Sequence, residues 1–328
     1  SKWPVAPTWA ALDMFPESVG SFGTHGTRVG NFVVQNATHI ISIGSRLDSK
    51  ATGTPVESFA RKAEIVMVDI DQREINKFGD RVTGLCMDAK EYLSHAYLTR
   101  PTSQWLDQIN DWKERYPVVK PEYYKEPGVN PYVFIDELSK QVSEDTIVCT
   151  DTGCAVAWVS QAWKWKSGQR FIHAFNQTPM GYGLPAAIGA HYATNRRIVL
   201  ITGDGSVMMS VGELATVAGH KLPIKIFLLN NQGHAMCRQT EREWLDGKYC
   251  GTSTKDLTFP ESFSKLALAG FRISSSYIDE SDYANQKREV RHISMVEHIE
   301  YVLNDKGPQF VEVTISPDHD VVPKVKYG

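Results

Sequence analysis

The stretch that most constrains this chain covers residues 198–236, IVLITGDGSVMMSVGELATVAGHKLPIKIFLLNNQGHAM. Residues 198–202 are a short β-branched run of the kind that makes a buried parallel strand. Gly203 and Gly205 flank Asp204, so the backbone there can fold sharply and approach a ligand closely. Ser206 is placed to cap a following helix. Val207, Val211, Leu214 and Ala218 fall on one face of that helix. Gly219 closes it, Pro223 helps stop it, and residues 224–229 form the next buried strand. In a right-handed β–α–β unit both strands run the same way. Asp204 and the Asn230-Asn231 pair therefore emerge together at the carboxyl edge of the sheet.

That edge suits a magnesium diphosphate. Mg²⁺ takes oxygen ligands in near-octahedral geometry, few of them from protein. Asp204 offers a carboxylate, Asn231 a carboxamide oxygen, and Gly233 a backbone carbonyl. The N–H groups of Gly205 and Ser206 turn positive partial charge toward phosphate oxygens. Over GDGS alone, an ordinary βα turn with an unconnected Asn turn elsewhere reads the same way. The spacing and the two buried strands make the combined pattern far more specific.

GDGS, a helix containing Glu213-Leu214-Ala215-Thr216, and LLNNQG together resemble the thiamine-diphosphate motif. The family is the acetolactate synthase-like branch of the thiamine-diphosphate decarboxylases and carboligases. The resemblance implies Mg²⁺ on Asp204, Asn231 and the carbonyl of Gly233. It implies cofactor contacts from Gly203, Asp204, Gly205, Ser206, Asn231, Gly233 and His234. Residues 180–190, MGYGLPAAIGA, also match the family, and Met180 would support the bent cofactor from below, a plain core Met being the alternative. Gly153 and Cys154 follow the strand 146–150 in a glycine turn that in the family faces the cofactor diphosphate. Gly181-x-Gly183-x-x-Ala186 nominally fits a dinucleotide fingerprint with Asp204 downstream, but the glycines follow a Pro-Met loop and not a strand. Cys154-Ala155 stands where acetolactate synthases usually carry Gln-His, and Thr240 where they usually carry Trp. Those departures imply a differently shaped pocket.

Residues 1–95 resemble part of the same family's middle domain, through GTHGTRVGNF, GSRLD and FARKAEIVMVDIDQREINK. A short strand over 4–8, a helix from Thr27, and strands over 40–43 and 65–68 are expected. The crevice at the strand ends holds FAD in acetolactate synthases, and ADP or nothing in other relatives. The matching contacts would be His25, Gly26, Arg46 and Asp69 or Asp71. Residues 96–130 read as a linker that carries an amphipathic helix over 104–116, with Trp105, Ile109 and Trp112 on one face. Residues 131–328 read as the diphosphate- and Mg-binding domain. Within it, Pro131 opens a helix, and Trp158, Trp163 and Trp165 are core or interface. Residues 262–269 are a helix, 271–273 and 310–315 are strands, and 274–289 are a surface loop. Arg238 and Arg242 are either contacts for an anionic substrate or members of a solvated charge cluster.

The fold class is therefore α/β, with two doubly wound parallel-sheet domains. A net charge of −3 gives no footing for nucleic acid, and no apolar run is long enough to span a bilayer. Five scattered cysteines without a CxxC pair suit reduced thiols in a cytoplasmic protein. The resemblance implies a thiamine-diphosphate- and Mg-dependent enzyme that decarboxylates a 2-oxo acid and ligates the fragment to a second carbonyl. It implies a homodimer or homotetramer in which a pyrimidine-binding domain, absent here, comes from a second subunit and brings the activating Glu. The chain then reads as a portion of a longer enzyme, inactive alone. Alternatives are a simple 2-oxo acid decarboxylase or other lyase, a non-catalytic cofactor-binding or regulatory protein, and a nucleotide-dependent dehydrogenase.

Overall fold

The computed structural model describes residues 3–96, 100–253, 256–279 and 288–324. The chain divides into two compact units, Ser1–Val118 with Val322–Gly328, and Val119–Val321. The division falls inside the stretch expected to be a linker.

The first unit runs α1 (Arg28–Asn36), β1 (His39–Ile43), α2 (Ser49–Thr52), β2 (Glu64–Asp69), α3 (Gln72–Asn76), β3 (Thr83–Cys86), α4 (Ala89–His95) and α5 (Ser103–Arg115). Its three strands are parallel, in the order β1-β2-β3. Thr27 starts α1, its Oγ1 accepting from the Gly30 N–H at 3.0 Å. Val34, Phe59, Ile65, Met67 and Ile75 form one core. The amphipathic helix α5 sets Ile109, Trp105 and Trp112 against Val29 and Val33 of α1. Residues 4–8 are not the expected strand. Pro4 and Pro7 bring no N–H to a ladder, and Val5 bonds instead through its carbonyl to Val19 N at 2.9 Å.

The second unit runs α6 (Pro131–Gln141), β4 (Thr146–Thr150), α7 (Cys154–Ala162), β5 (Arg170–Ile172), α8 (Gly183–Thr194), β6 (Arg197–Gly203), α9 (Asp204–Met208) and α10 (Leu214–Gly219). It continues through β7 (Ile224–Asn230), α11 (Ala235–Trp244), α12 (Phe263–Phe271), β8 (Ser274–Ile278), α13 (Arg288–Asn304) and β9 (Gln309–Thr314). All pairings are parallel, in the order β5-β4-β6-β7-β9-β8. Ile198 to Ile201 and Ile226 to Leu229 are buried throughout, as strands covered on both faces must be. Asn130 caps α6 by accepting from Tyr132 N at 2.9 Å, and Pro131 occupies the first turn. Trp158, Trp163 and Trp165 are buried. At the amino end of β7, Lys225 is 6% exposed and donates to the carbonyls of Asp305 at 2.7 Å and Gly307 at 2.6 Å.

Four further expectations are corrected. The helix after Asp204 is not continuous: α9 ends at Met208, a single 3₁₀ turn spans Val211–Glu213, and α10 follows. Ser210 leaves helical geometry (φ −134°, ψ 20°) and Gly212 comes next, both poor helix formers. Ser206 lies inside α9 and caps nothing; Gly203 is the flanking residue. No strand forms over 271–273, because α12 runs through Phe271 and Arg272 turns left-handed (φ 58°). The strand β8 lies instead in the segment read as a loop. Its serines look polar but bond inward, Ser275 Oγ to the Ser264 carbonyl at 2.7 Å and Ser276 Oγ to His298 Nε2 at 2.8 Å. Residues 280–287 of that expected loop lie outside the described residues, and α13 beyond them carried no expectation.

Candidate functional site

From β4 the chain moves to one side of the sheet for β5 and returns on the other side for β6. Such a reversal leaves a crevice at the carboxyl ends of the strands. Three adjacent tips end there in polar residues: Asp151 after β4, Asp204 after β6 and Asn231 after β7.

Asp204 is 1% exposed. Its Oδ1 accepts from Gly205 N at 2.7 Å, and its Oδ2 accepts from Asn231 N at 3.1 Å and Gly233 N at 3.0 Å. The β6 and β7 tips are thus tied through one carboxylate. Burial pushes the Asp204 carboxyl up to about 6, against those N–H groups and the nearby Arg238 charge, which favour ionisation. The residue has three neutral donors and no cation in direct contact among its hydrogen bonds.

Gly205 shows why a side chain is excluded at the turn. A Cβ there would stand 2.5 Å from the His234 ring and 3.3 Å from the Met180 methyl. Met180 and His234 therefore meet over Gly205. Met180 is 37% exposed, which removes the reading of a plain core methionine. A Cβ on Gly153 (φ 73°) would lie 3.9 Å from Met236 Cβ, and Cys154, buried, opens α7. Gly203 and Ser206 flank Asp204 at the same tip.

Two residues organise the site in roles the sequence did not show. Asp151 Oδ1 accepts from Thr152 N and Gly181 N, both at 3.0 Å, and its Oδ2 from Gly183 N at 2.9 Å. The N–H groups of Gly181 and Gly183 are spent on that carboxylate, so the dinucleotide reading of this loop has no donors to offer there. A strand-end Asp facing a later glycine pair was the available signal. Arg238, the other, is neither substrate-facing nor solvated. It is 8% exposed, and its guanidinium reaches five oxygens around the Asn231 loop. Arg242 pairs with Asp320.

The donor set suits a hard divalent cation. Asp204 Oδ1 has lone-pair capacity left, and Asn231 and Gly233 carry oxygens on the segment bonded to the same carboxylate. A cation would favour the ionised carboxylate that burial disfavours. Among the described residues no three His, Cys, Asp or Glu side chains gather into a metal group. A cation at Asp204 would complete its shell from amide and phosphate oxygens.

In the first unit the expected contacts are differently placed. His25 lies against the Trp9 ring at 5.7 Å, and a Cβ on Gly26 would fall 2.5 Å from the Phe22 backbone. Arg46, left-handed at φ 56°, pairs with Glu74 at 3.2 Å. Asp69 Oδ1 accepts from Asp71 N at 2.9 Å. Asp71 caps α3 and chelates Arg73, which holds its carboxyl down at about 2.

The comparisons agree with this layout. The model of the thiamine pyrophosphate enzyme central domain matches residues 1–96, and that of the C-terminal TPP binding domain matches residues 151–313. The mitochondrial acetolactate synthase catalytic subunit of Saccharomyces cerevisiae is 31% identical over 99% of this chain and 48% of its own length. The acetolactate synthase isozyme 2 large subunit of Escherichia coli is 33% identical over 96% of this chain and 54% of its own. The acetolactate synthase large subunit of Cyanidium caldarium is 30% identical over 100% and 55%. The chain spans about half the length of these relatives.

Proposed function

This chain belongs to the thiamine pyrophosphate enzyme family, and from that premise we propose that it is the cofactor-anchoring portion of an acetolactate synthase-like carboligase. Its substrates would be a 2-oxo acid and a carbonyl acceptor, and its cofactors thiamine diphosphate and Mg²⁺. The observation that carries the reading is the shared carboxylate: Asp204, buried at the carboxyl edge of the sheet, joins the β6 and β7 tips through backbone N–H groups alone.

When bound, thiamine diphosphate supplies a carbon that accepts the electrons released as a 2-oxo acid loses CO₂. The chain's own residues anchor and orient. Asp204, Asn231 and the Gly233 carbonyl would hold the cation. Gly203, Gly205 and Ser206 would line the diphosphate, with Gly153 and Cys154 at the neighbouring tip. Met180 and His234, meeting over Gly205, would support the cofactor's bend and shield it from water. The activating carboxylate would come from a pyrimidine-binding domain in a second subunit of a homo-oligomer, so this chain alone is proposed to be inactive. Among the described residues no helix is long and apolar enough to cross a membrane. The five cysteines form no disulfide, and a cytoplasmic location is proposed.

The test is the melting temperature of the complete protein with and without Mg²⁺ and thiamine diphosphate, followed by product analysis with pyruvate and a panel of aldehydes and 2-oxo acids. Stabilisation by both ligands together and a ligated product are expected. Stabilisation by NAD alone would defeat the reading. Met180→Ala should lower turnover more than cofactor affinity; equal turnover would reduce Met180 to packing. Release of a free aldehyde would favour a simple decarboxylase, a reading that Thr240 supports by standing where the family usually has Trp. For the first unit, FAD or ADP is the finer reading. The positions of Arg46 after β1 and of Asp69 at the end of β2 support it, and the absorbance spectrum of the purified protein tests it.

A further inference from the structure

We infer that Arg238 is a positioning residue for the cation site: its guanidinium fixes the Asn231 carboxamide and the loop that carries Gly233. The inference rests on the reading of Asp204 and Asn231 as cation ligands.

The geometry is unusual for a buried charge. Arg238 is 8% exposed, and no carboxylate lies among the partners of its guanidinium. Nη1 donates to the carbonyls of Gln232 at 3.2 Å and Thr252 at 3.0 Å. Nη2 donates to the Asn231 carbonyl at 3.0 Å, to Asn231 Oδ1 at 3.3 Å and to the Pro317 carbonyl at 3.1 Å. Burying a cation costs free energy unless it is fully bonded. Five oxygens meet that need, and all but two of them belong to the turn that follows β7.

The consequence falls on Asn231. A carboxamide has an oxygen end and an NH₂ end of similar shape, and only the oxygen ligates a cation. A donor on Nη2 selects the oxygen and leaves its second lone pair for a metal. A side chain that holds a ligand from behind in this way sharpens the site, and its loss typically costs about 10- to 100-fold in metal affinity. The packing is equally tight. A Cβ on Gly233 would lie 2.3 Å from Arg238 Nη1 and 2.4 Å from the Thr252 carbonyl, so glycine is what lets the loop close on the guanidinium. Lysine, with one ammonium in place of a planar fork, cannot span acceptors on both sides of the loop.

The experiment uses the complete protein with Mn²⁺ as the probe, reading free ion by electron paramagnetic resonance in the presence of thiamine diphosphate. Arg238→Lys is expected to raise Mn²⁺ half-saturation at least about tenfold. Asn231→Ala should raise it by as much or more. The double variant R238K/N231A should match Asn231→Ala alone, because Arg238 acts through that carboxamide. Arg242→Met, on the same helix and paired with Asp320, should stay within about twofold. An unchanged Arg238→Lys overturns the inference. So does an R238K effect that simply adds to N231A, since that marks a structural clamp. An unchanged Asn231→Ala removes Asn231 from the ligand set and takes the inference with it, and that outcome is separable from the others. If Arg238→Lys does not fold, the wild-type protein labelled with ¹⁵N serves. Its Arg238 Nε resonance should shift when Mg²⁺ and thiamine diphosphate are added, and a resonance that stays in place overturns the inference.

Discussion

The carboxyl tips of β2 and β6 are built alike, as parallel strands that end at or just before an aspartate, yet they treat charge in opposite ways. Asp71 is partly exposed, bonded to Arg73 and capping α3, so its carboxyl is held down at about 2. Asp204 is buried, bonded only by backbone N–H groups, and its carboxyl is pushed up to about 6. The first tip carries its counter-charge within the chain. The second is a carboxylate with neutral N–H donors only. Two strand-end acids in parallel sheets thus differ in their partner sets.

The sharpest way to break that contrast is to remove each acid in turn. Asp204→Ala should abolish the rise in melting temperature given by Mg²⁺ with thiamine diphosphate; a preserved rise would mean that the cation sits elsewhere. Next in size, Gly205→Ala should cost about 1–3 kcal/mol through the clash of its methyl with the His234 ring. Thermal melting of the cation-free protein measures this, and an unchanged melting point would show that His234 swings away freely.

The pH dependence should separate the two acids further. Between the ordinary Asp value of 3.8 and about 6, the native state keeps a proton on Asp204 that the unfolded chain has released. Raising pH through that window therefore removes stability from the cation-free protein. A cation must displace the same proton, so its affinity should fall about tenfold per pH unit below about 6 and level off above. Asp204→Asn should flatten both curves. Asp71 has the other sign, because its stabilisation is full above the ordinary value and is lost as pH falls toward about 2. The smallest effect is accordingly that of Asp71→Asn, which should leave Mg²⁺ half-saturation unchanged, as isothermal titration would show.

Much of this was legible in the residues because two strong signals coincided. β6 and β7 are long β-branched or aliphatic runs, and the turns after them are marked by Gly-Asp-Gly and Asn-Asn. Those signals located the strands, their parallel direction and the meeting of Asp204 with Asn231. What was not legible depended on side chains finding distant backbone. Nothing near Arg238 announces that its acceptors include carbonyls of Thr252 and Pro317. Likewise β8 hides in a serine run, since hydroxyls that bond inward look identical in sequence to hydroxyls that face water. The broken helix after Asp204 was missed for a third reason. Its apolar spacing is helical throughout, but Ser210 and Gly212 lower local propensity enough for packing to choose the break.

Lys225 gives the second unit's sheet a direction. Its ammonium sits near the start of β7, corked by two carbonyls from the segment that leads into β9. Asn231 lies just past the other end of the same strand, roughly 20 Å away at ordinary strand rise. One end of the layer thus carries a cation bonded to the chain's own carbonyls, while the opposite end carries a buried carboxylate bonded only by neutral N–H groups.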